Sequence, residues 1–527
     1  MQIIENKALR LRVRDPHKIT QIIPTSAQVG DHDVVVRWGL EEAQILKNMK
    51  IKNVPSPIRK SYDWPGLYQP FAHQVTTAEF LTLHRRAFCF NAQGTGKTAS
   101  CIWAADYLMK QNQIRRVLVV CPVSIMGSAW QADVFKFAMH RTCEVAHSTR
   151  AENRRRVVRS DVEFVITNYE GVALIGDAVL EDGRFDLIIV DEANYYKNIH
   201  TTRWKSLNRI IRPHTWIWML TGTPASQEPS DAYGLARIIN PSGVPKFYGS
   251  FRSQVMTQLT RFKWVPRPEA TDIVFDALQP AIRFSKEECL DLPDMMYVTR
   301  DVPLTKQQEK YYYALLQEQL VRTAGEEISA PTAATVLTKL LQISSGAAYS
   351  DNKEIIDFDC SNRLQALMEV IDEASHKVLV FAPFTHSLNI VAEWLKSKGI
   401  TTEIINGKVP AGARTEIFNR FQTQPDPRVL VIQPQAASHG VTLHAANVVV
   451  YWSPVMSVET YLQANARVHR AGQVNKVTIV HLQGSKVEKK MYRMLQGKID
   501  VHQRLIELYR EEIDELGDDD GRTRISG

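Results

Sequence analysis

The chain has 527 residues, 44% of them hydrophobic and 23% charged, which is the balance of an ordinary globular protein and excludes a disordered or fibrous one. At about 150 residues per domain, that length predicts roughly three domains. The formal net charge of +7 is too small an excess to establish a polyanionic partner. The start, MQIIENKALRLRVRD, lacks the apolar stretch of a signal peptide, and no apolar run approaches the ~18 residues of a membrane span, so neither secretion nor membrane insertion is expected. The six cysteines (Cys89, Cys101, Cys121, Cys143, Cys289, Cys360) form no CxxC pair. Most sit in apolar company, as reduced core thiols of a reducing compartment do.

Residues 1–60 combine the apolar alternation Asp33–Trp38 with a helical stretch at Glu41–Met49, read as a small appendage of one hairpin and one helix. From about residue 70, short β-branched runs alternate with helical segments: Ala87–Phe90, Val117–Val120, Phe164–Thr167, Leu187–Val190 and Trp216–Leu220. The rhythm returns at Val378–Phe381, Glu403–Ile405, Val429–Ile432, Val448–Tyr451 and Val477–Val480. Continuous apolar strands separated by helices predict parallel sheets covered on both faces, here two of them. Between them, residues 250–350 are rich in helix formers (Lys306–Arg322, Ala333–Ile343). The acidic stretch Glu511–Asp520 is expected to fray into solvent.

The strongest local signal is Asn91-Ala-Gln-Gly-Thr-Gly-Lys-Thr98, after one apolar strand and before a helix at Ala99–Lys110. It meets the phosphate-loop pattern GxxxxGK[ST] except at its first position, where Asn91 stands for glycine. Gly94 and Gly96 let backbone amides turn toward an anion, with Gln93 and Thr95 in the same loop, and the helix N-terminus adds its positive dipole end. Lys97 is expected to reach the β- and γ-phosphates, and the Thr98 hydroxyl to ligate Mg²⁺. About a hundred residues later, Asp191 and Glu192 end the buried run Leu187–Val190, at the strand edge where parallel sheets bind ligands. Asp191 is expected to hold Mg²⁺, usually through water, and Glu192 to orient and deprotonate the attacking water. The pair with the loop predicts a nucleoside triphosphatase.

The remaining motifs, in their order, resemble the Swi/Snf-type ATPases of helicase superfamily two, across roughly residues 65–500. Gln74 in Phe71-Ala-His-Gln74 is similar to the glutamine that reads adenine. Cys121–Trp130 resembles the family's Pro-x-Ser/Leu…Trp segment, Ile166–Glu170 its Thr-x-Tyr-Glu segment, Asp191–Asn198 its DEAHxxKN segment, and Leu220-Thr-Gly-Thr-Pro224 its coupling motif. In the second half, Asn406-Gly407 with Arg414 and Phe421, Gly440-Val-Thr-Leu443 and Trp452-Ser-Pro454 follow the family's spacing, and Gln463–Gln473 fits QAxxRxHRxGQ at every fixed position.

The resemblance implies an α/β protein of two RecA-like parallel-sheet lobes with helical Snf-type insertions between them. The implied division is an appendage (1–60), an ATP-binding lobe (61–245), a helical protrusion and linker region (246–355), a second lobe (356–500), and a C-terminal helix with acidic tail (501–527). It implies nucleotide contact at Gly440, coupling at Asn194, Thr221, Thr223 and Gln463, and phosphate-chain contacts at Ser124, Thr167, Thr385 and Thr442. Arg467 and Arg470, read as i and i+3 on one helix, offer two permanent charges to one ligand. Given by one lobe to a nucleotide on the other, such arginines raise rates by about 10³–10⁵.

About 150 positions separate Pro224 from Lys377, more than a simple connector needs. Here Ile282–Pro293, Leu304-Thr305 with Gln308 and Tyr311, and Leu341–Ile343 also resemble family segments. Two positions depart from the pattern. Asn194 replaces the histidine of DEAH but still donates and accepts hydrogen bonds, so altered coupling is expected. Phe284 replaces the second arginine of an LRR pair.

No base-reading motif is present, so recognition by shape and backbone is expected. The basic run Arg150–Arg159 reads equally as a solvated helix face or a DNA-tracking one. His439 and His444 lack further ligands at metal spacing, and Tyr68 and Phe71 read as packing or as adenine stackers. The expected function is ATP- and Mg²⁺-dependent translocation on double-stranded or branched DNA, with a DNA-bound protein as a candidate cargo, by a monomeric motor resembling minimal bacterial or phage members. The expected location is the cytoplasm of a prokaryotic or phage-infected cell, or the nucleus of a eukaryote. A strand-separating helicase and a nucleotide-gated DNA-binding scaffold are the alternatives.

Overall fold

The computed structural model describes residues 1–222, 224, 228–260, 264–289, 293–322, 330–349, 355–437, 441–470 and 472–497. The chain divides into two compact units, 1–290 and 291–527.

The first unit opens on an antiparallel sheet of β1 (Gln2–Ile4), β2 (Ala8–Arg12), β3 (Ala27–Gln28) and β4 (Asp33–Arg37), in the order β1-β2-β4-β3. The period-2 residues Leu9, Leu11, Val34 and Val36 face inward onto Ile19, Ala43 and Leu46. This is a larger element than the expected hairpin and helix. β1 and β3 are too short to show an alternation.

A seven-stranded sheet follows. It comprises β5 (Arg86–Cys89), β6 (Arg116–Val120), β7 (Cys143–Val145), β8 (Phe164–Thr167), β9 (Phe185–Val190) and β10 (Trp216–Leu220). Beyond an antiparallel pair, β11 (Met256–Gln258) and β12 (Trp264–Pro266), the strand β13 (Ala281–Ile282) joins the same sheet. The order is β13-β5-β10-β9-β6-β8-β7, parallel throughout. Alternate residues feed opposite cores: Leu118, Val120, Ile188 and Val190 face one way, Val117, Val119, Leu187 and Ile189 the other. Burial on both faces is why these strands read as unbroken apolar runs.

The second unit repeats the plan. After β14 (Met295–Asp301) and an antiparallel pair, β15 (Ala347–Tyr349) with β16 (Ile355–Asp357), come β17 (Lys377–Phe381), β18 (Thr402–Ile405), β19 (Val429–Ile432), β20 (Ala446–Tyr451) and β21 (Val477–Gln483). Their order is β14-β21-β20-β17-β19-β18, again all parallel. The α/β class with two parallel sheets is as expected.

The intervening region is not wholly helical. The helices Lys306–Arg322 and Ala330–Ser344 are present, but β13 and β14 come from the same stretch and each adds an edge strand to one sheet. Gln308 joins the two helices. Its Nε2 donates to Ile343 O (2.8 Å) and Ser344 O (3.2 Å), satisfying carbonyls at the end of the second helix. No helix among the described residues is long and apolar enough to cross a membrane.

Candidate functional site

In the first unit, parallel register brings the ends of several strands to one edge: Leu220 pairs with Cys89, Met219 with Val190, and Val120 with Val190. The residues that leave these ends are the ones singled out by sequence. Residues 90–98 leave β5, and Gly94 (φ 84°) and Gly96 (φ 78°) hold left-handed conformations that glycine permits. A Cβ on Gly96 would lie 2.1 Å from Gln74 Nε2, so no other residue fits there without movement. Gly96 starts the helix Lys97–Lys110 with no side-chain cap, which leaves the first-turn amides to an external acceptor. Lys97 Nζ donates to Asn91 O (2.9 Å) and Ala92 O (3.3 Å), holding the ammonium over the loop. Gln93 Oε1 is buried with no partner among the described residues. Gln74 Oε1 accepts from Phe71 N (2.9 Å), and Gln74 Nε2 and the His73 ring both reach Thr95 O.

Asn91, the departure from the glycine pattern, is 1% exposed and fully engaged. Its Nδ2 donates to Thr77 Oγ1 (2.8 Å), and its Oδ1 accepts from Phe284 N (3.1 Å). Ala92 N also donates to Phe284 O (2.8 Å). The loop is thus latched to the segment that follows β13, and Phe284 serves it through its backbone.

Asp191 ends β9. Its Oδ2 accepts from Trp130 Nε1 (2.9 Å), its Oδ1 from Glu192 N (2.9 Å), and its carbonyl from the Tyr169 hydroxyl (2.8 Å). Two motif residues whose partners the sequence did not reveal therefore converge on this residue, Trp130 on its carboxylate and Tyr169 on its backbone. Glu192 is a non-glycine residue at φ 49°, a strained conformation of the kind that collects at functional sites. Asn194 lies in the 3₁₀ turn Ala193–Tyr196 that follows. Thr221 is buried, with its amide on Cys89 O (3.1 Å). A Cβ on the next residue, Gly222, would come 3.3 Å from Gln93 Cγ, so the turn after β10 abuts the loop after β5. Thr223 lies outside the described residues. Burial lifts the Cys89 thiol to about 11, while Lys97 pulls it down and Asp191 pushes it up; both charges act on one buried group.

These residues fit the groups the sequence implied. Uncapped amides, left-handed glycines and an ammonium suit a polyphosphate. Thr98 and Asp191 supply only oxygen, the donor set of a hard divalent cation.

In the second unit the arginine motif differs from expectation. The helix ends at Asn465, so Arg467 and Arg470 stand on the turns after it, not on a helix face. Tertiary bonds override the helical pattern. Arg467 O accepts from Leu443 N (2.8 Å), the His469 ring meets Pro293 O (2.8 Å), and Arg470 Nη1 donates to Val441 O (3.2 Å). Gln473 Nε2 ties the same turns to Ala446 O (2.9 Å). Both arginines are thereby joined to the segment carrying Thr442. Gln463 is buried within its helix, with Nε2 on Glu459 Oε1 (3.2 Å). Gly440 and His439 lie outside the described residues, as does the acidic stretch 511–520.

Among the residues assigned to the phosphate chain, Thr385 opens the helix Thr385–Ser397 and Ser124 lies in the turn Val123–Ile125. Thr167 is fully buried, and its hydroxyl donates to Ala146 O (3.3 Å). The basic run forms the helix Ala151–Arg159, where Arg154 is buried on Asn168 Oδ1 (2.8 Å) and Arg159 pairs with Glu152 (3.1 Å). Phe71 stacks on His73 (5.8 Å between ring centres). No cluster of metal-ligating side chains occurs among the described residues.

Residues 73–346 match the SNF2-related domain, which is just over half of the chain, and residues 362–472 match the helicase conserved C-terminal domain. The chain belongs to the SNF2-related family. The two matched domains are those of a SNF2 helicase-type ATPase.

This SNF2-related chain is 25% identical over 495 residues to mouse chromodomain-helicase-DNA-binding protein 1-like, covering 88% of this chain and 54% of that one. It is 26% identical to the Caenorhabditis elegans homologue of SWI/SNF-related matrix-associated actin-dependent regulator of chromatin subfamily A-like protein 1, covering 86% and 64%. It is 24% identical to an uncharacterised ATP-dependent helicase of Mycoplasma genitalium, covering 74% and 37%. The chain therefore spans from about a third to two thirds of these relatives. Among solved structures, the Sulfolobus solfataricus SWI2/SNF2 ATPase core in complex with dsDNA matches at 21% identity and a TM-score of 0.41, over 86% of this chain and 97% of that one.

Proposed function

We propose that the chain is a DNA-dependent ATPase that translocates on double-stranded DNA, remodelling protein–DNA complexes or branched DNA. The observation that carries the reading is the meeting of the phosphate loop with Asp191 at one sheet edge, in a chain with both SNF2-related and helicase C-terminal domains. Relatives named for DNA binding and chromatin support a DNA partner.

In this reading the loop amides and Lys97 bind the β- and γ-phosphates of ATP. Thr98 and Asp191 would hold Mg²⁺, which when bound neutralises charge on the phosphate oxygens. Glu192 orients the attacking water and takes its proton. Arg467 and Arg470 stabilise the transition state, so hydrolysis proceeds when their unit closes on the nucleotide. Gln74 reads adenine after exchanging its bond to Thr95, and Gly440 borders the nucleotide. Asn194, Thr221, Thr223 and Gln463 couple nucleotide state to DNA. Ser124, Thr385 and Thr442 contact the phosphate chain, and Thr167 joins them only if its surroundings open. Residues 61–245 and 356–500 act as motor lobes, with 246–355 as protrusion and linker.

The test pairs two substrates. ATP-driven displacement of a third strand from intact duplex, with a forked duplex left unseparated, supports translocation. Separation of the fork replaces it with the strand-separating reading. ATP binding without turnover on either substrate replaces it with the gated scaffold.

A further inference from the structure

Away from the phosphate loop, Ile3 of β1, Lys47 with residues 50–55, and the far end of the helix Ala72–Leu83 line a cavity of ≈ 780 Å³, within the range of ligand-binding sites. Its lining combines aliphatic, aromatic and basic side chains. Ile51, Val54, Leu83 and Ile282 supply aliphatic surface. Phe80 and His84, stacked on each other at 3.9 Å between ring centres, add aromatic surface.

Lys47, Lys50, Lys52 and Arg59 also line it, against the single carboxylate of Glu79. Arg59 already grips Glu79 through Nε (3.2 Å) and Nη2 (2.9 Å). No ion pair to Lys47, Lys50 or Lys52 occurs among the described residues, so three lysines face the cavity without a counter-charge. Lys47 Nζ donates to Leu83 O (3.2 Å), and burial pulls its ammonium down to about 8. A buried cation of this kind is costly until an anion joins it. The turn that carries the other two lysines is strained, with Lys50 at φ 62° and Asn53 at φ 56°.

An edge strand borders the cavity. β1 is the outermost strand of its sheet, with no partner beyond it among the described residues, and its Ile3 is 40% exposed and lines the cavity. An open strand edge binds extended peptides by main-chain pairing, with a side-chain pocket beside it for selection. We propose that this cavity docks a short, extended, acidic peptide that pairs with β1, seats one apolar side chain on Phe80 and Leu83, and places its carboxylates among Lys47, Lys50 and Lys52. The edge favours a peptide over a free anion, and the aliphatic lining favours it over a nucleotide.

The experiment uses the full chain and a fluorescent hexapeptide of Asp and Glu with one central Leu, read by anisotropy. Saturable binding is expected. It should weaken about tenfold, or 1.4 kcal/mol, in the Lys50→Glu/Lys52→Glu variant and again when the peptide Leu becomes Gly. ATP turnover should stay unchanged, which shows the variant folded. Absence of saturable binding, equal binding of a Lys-for-Asp/Glu peptide, or binding unaltered in the variant would overturn the proposal. So would displacement of the peptide by inorganic phosphate or by an oligonucleotide of equal charge at lower concentration.

Discussion

The indole of Trp130 donates to Asp191 Oδ2 at 2.9 Å, with both groups buried. A carboxylate that is to hold a cation must keep its orientation before the cation arrives, and second-shell donors of this kind change metal affinity by about 10–100-fold. Trp130→Phe removes the donor and keeps most of the volume. Half-saturating Mg²⁺ for ATP hydrolysis should rise about tenfold, with a smaller change in turnover at saturating Mg²⁺. An unchanged Mg²⁺ requirement would show that the bond is only structural.

Asn91→Gly restores the usual phosphate-loop residue, yet should harm the protein. It removes the buried bond to Thr77 and leaves the half-buried Phe284 amide without Asn91 Oδ1. An unsatisfied buried group costs about 1–3 kcal/mol, to which the added backbone freedom of glycine contributes. The urea midpoint should fall accordingly. A variant as stable as the parent would remove the latch from this account.

Much of this was readable in sequence, for reasons that differ by element. β6, β9, β19 and β20 announce themselves because burial on both faces makes them continuous apolar runs. The phosphate loop is local, so glycine spacing and Lys97 reveal it. β13, at two residues, carries no periodicity and is defined only by its pairing with β5. The bond between Trp130 and Asp191 joins residues far apart in the chain, so no local pattern reports it. Arg467 and Arg470 follow a helical spacing but leave the helix, because Leu443, Val441 and Pro293 bind the turn through long-range hydrogen bonds.

His481 makes the second unit acid-sensitive. The ring is fully buried beside Tyr492 and shares a 2.9 Å hydrogen bond with the Tyr461 hydroxyl. Burial lowers its pKa from 6.5 to about 4. On acidification the unfolded imidazole takes its proton first, so stability present above pH 6.5 is lost as pH falls toward 4, by about 3 kcal/mol at most. Tm should drop over that window, and His481→Asn should show a shallower drop whatever its starting Tm. Parallel slopes would contradict the assignment.

Arg363 and Glu488 form a buried bidentate pair at 2.8 Å for each bond, with Arg363 Nη1 also on Trp452 O. Arg363→Leu leaves a buried carboxylate uncompensated and should cost about 3–5 kcal/mol. Arg363→Leu/Glu488→Leu should recover part of that loss in a urea titration. A double variant no better than the single would mean the pair's neighbours, not its charges, set the cost.

The most direct measurement is steady-state ATP hydrolysis with no nucleic acid, single strands, duplex and forked DNA, for the parent chain, Lys97→Ala and Arg467→Ala. The account predicts turnover raised strongly by duplex or fork and abolished in both variants, with Arg467→Ala still binding ATP. Negligible turnover on every substrate, despite ATP binding by the parent, would contradict the motor.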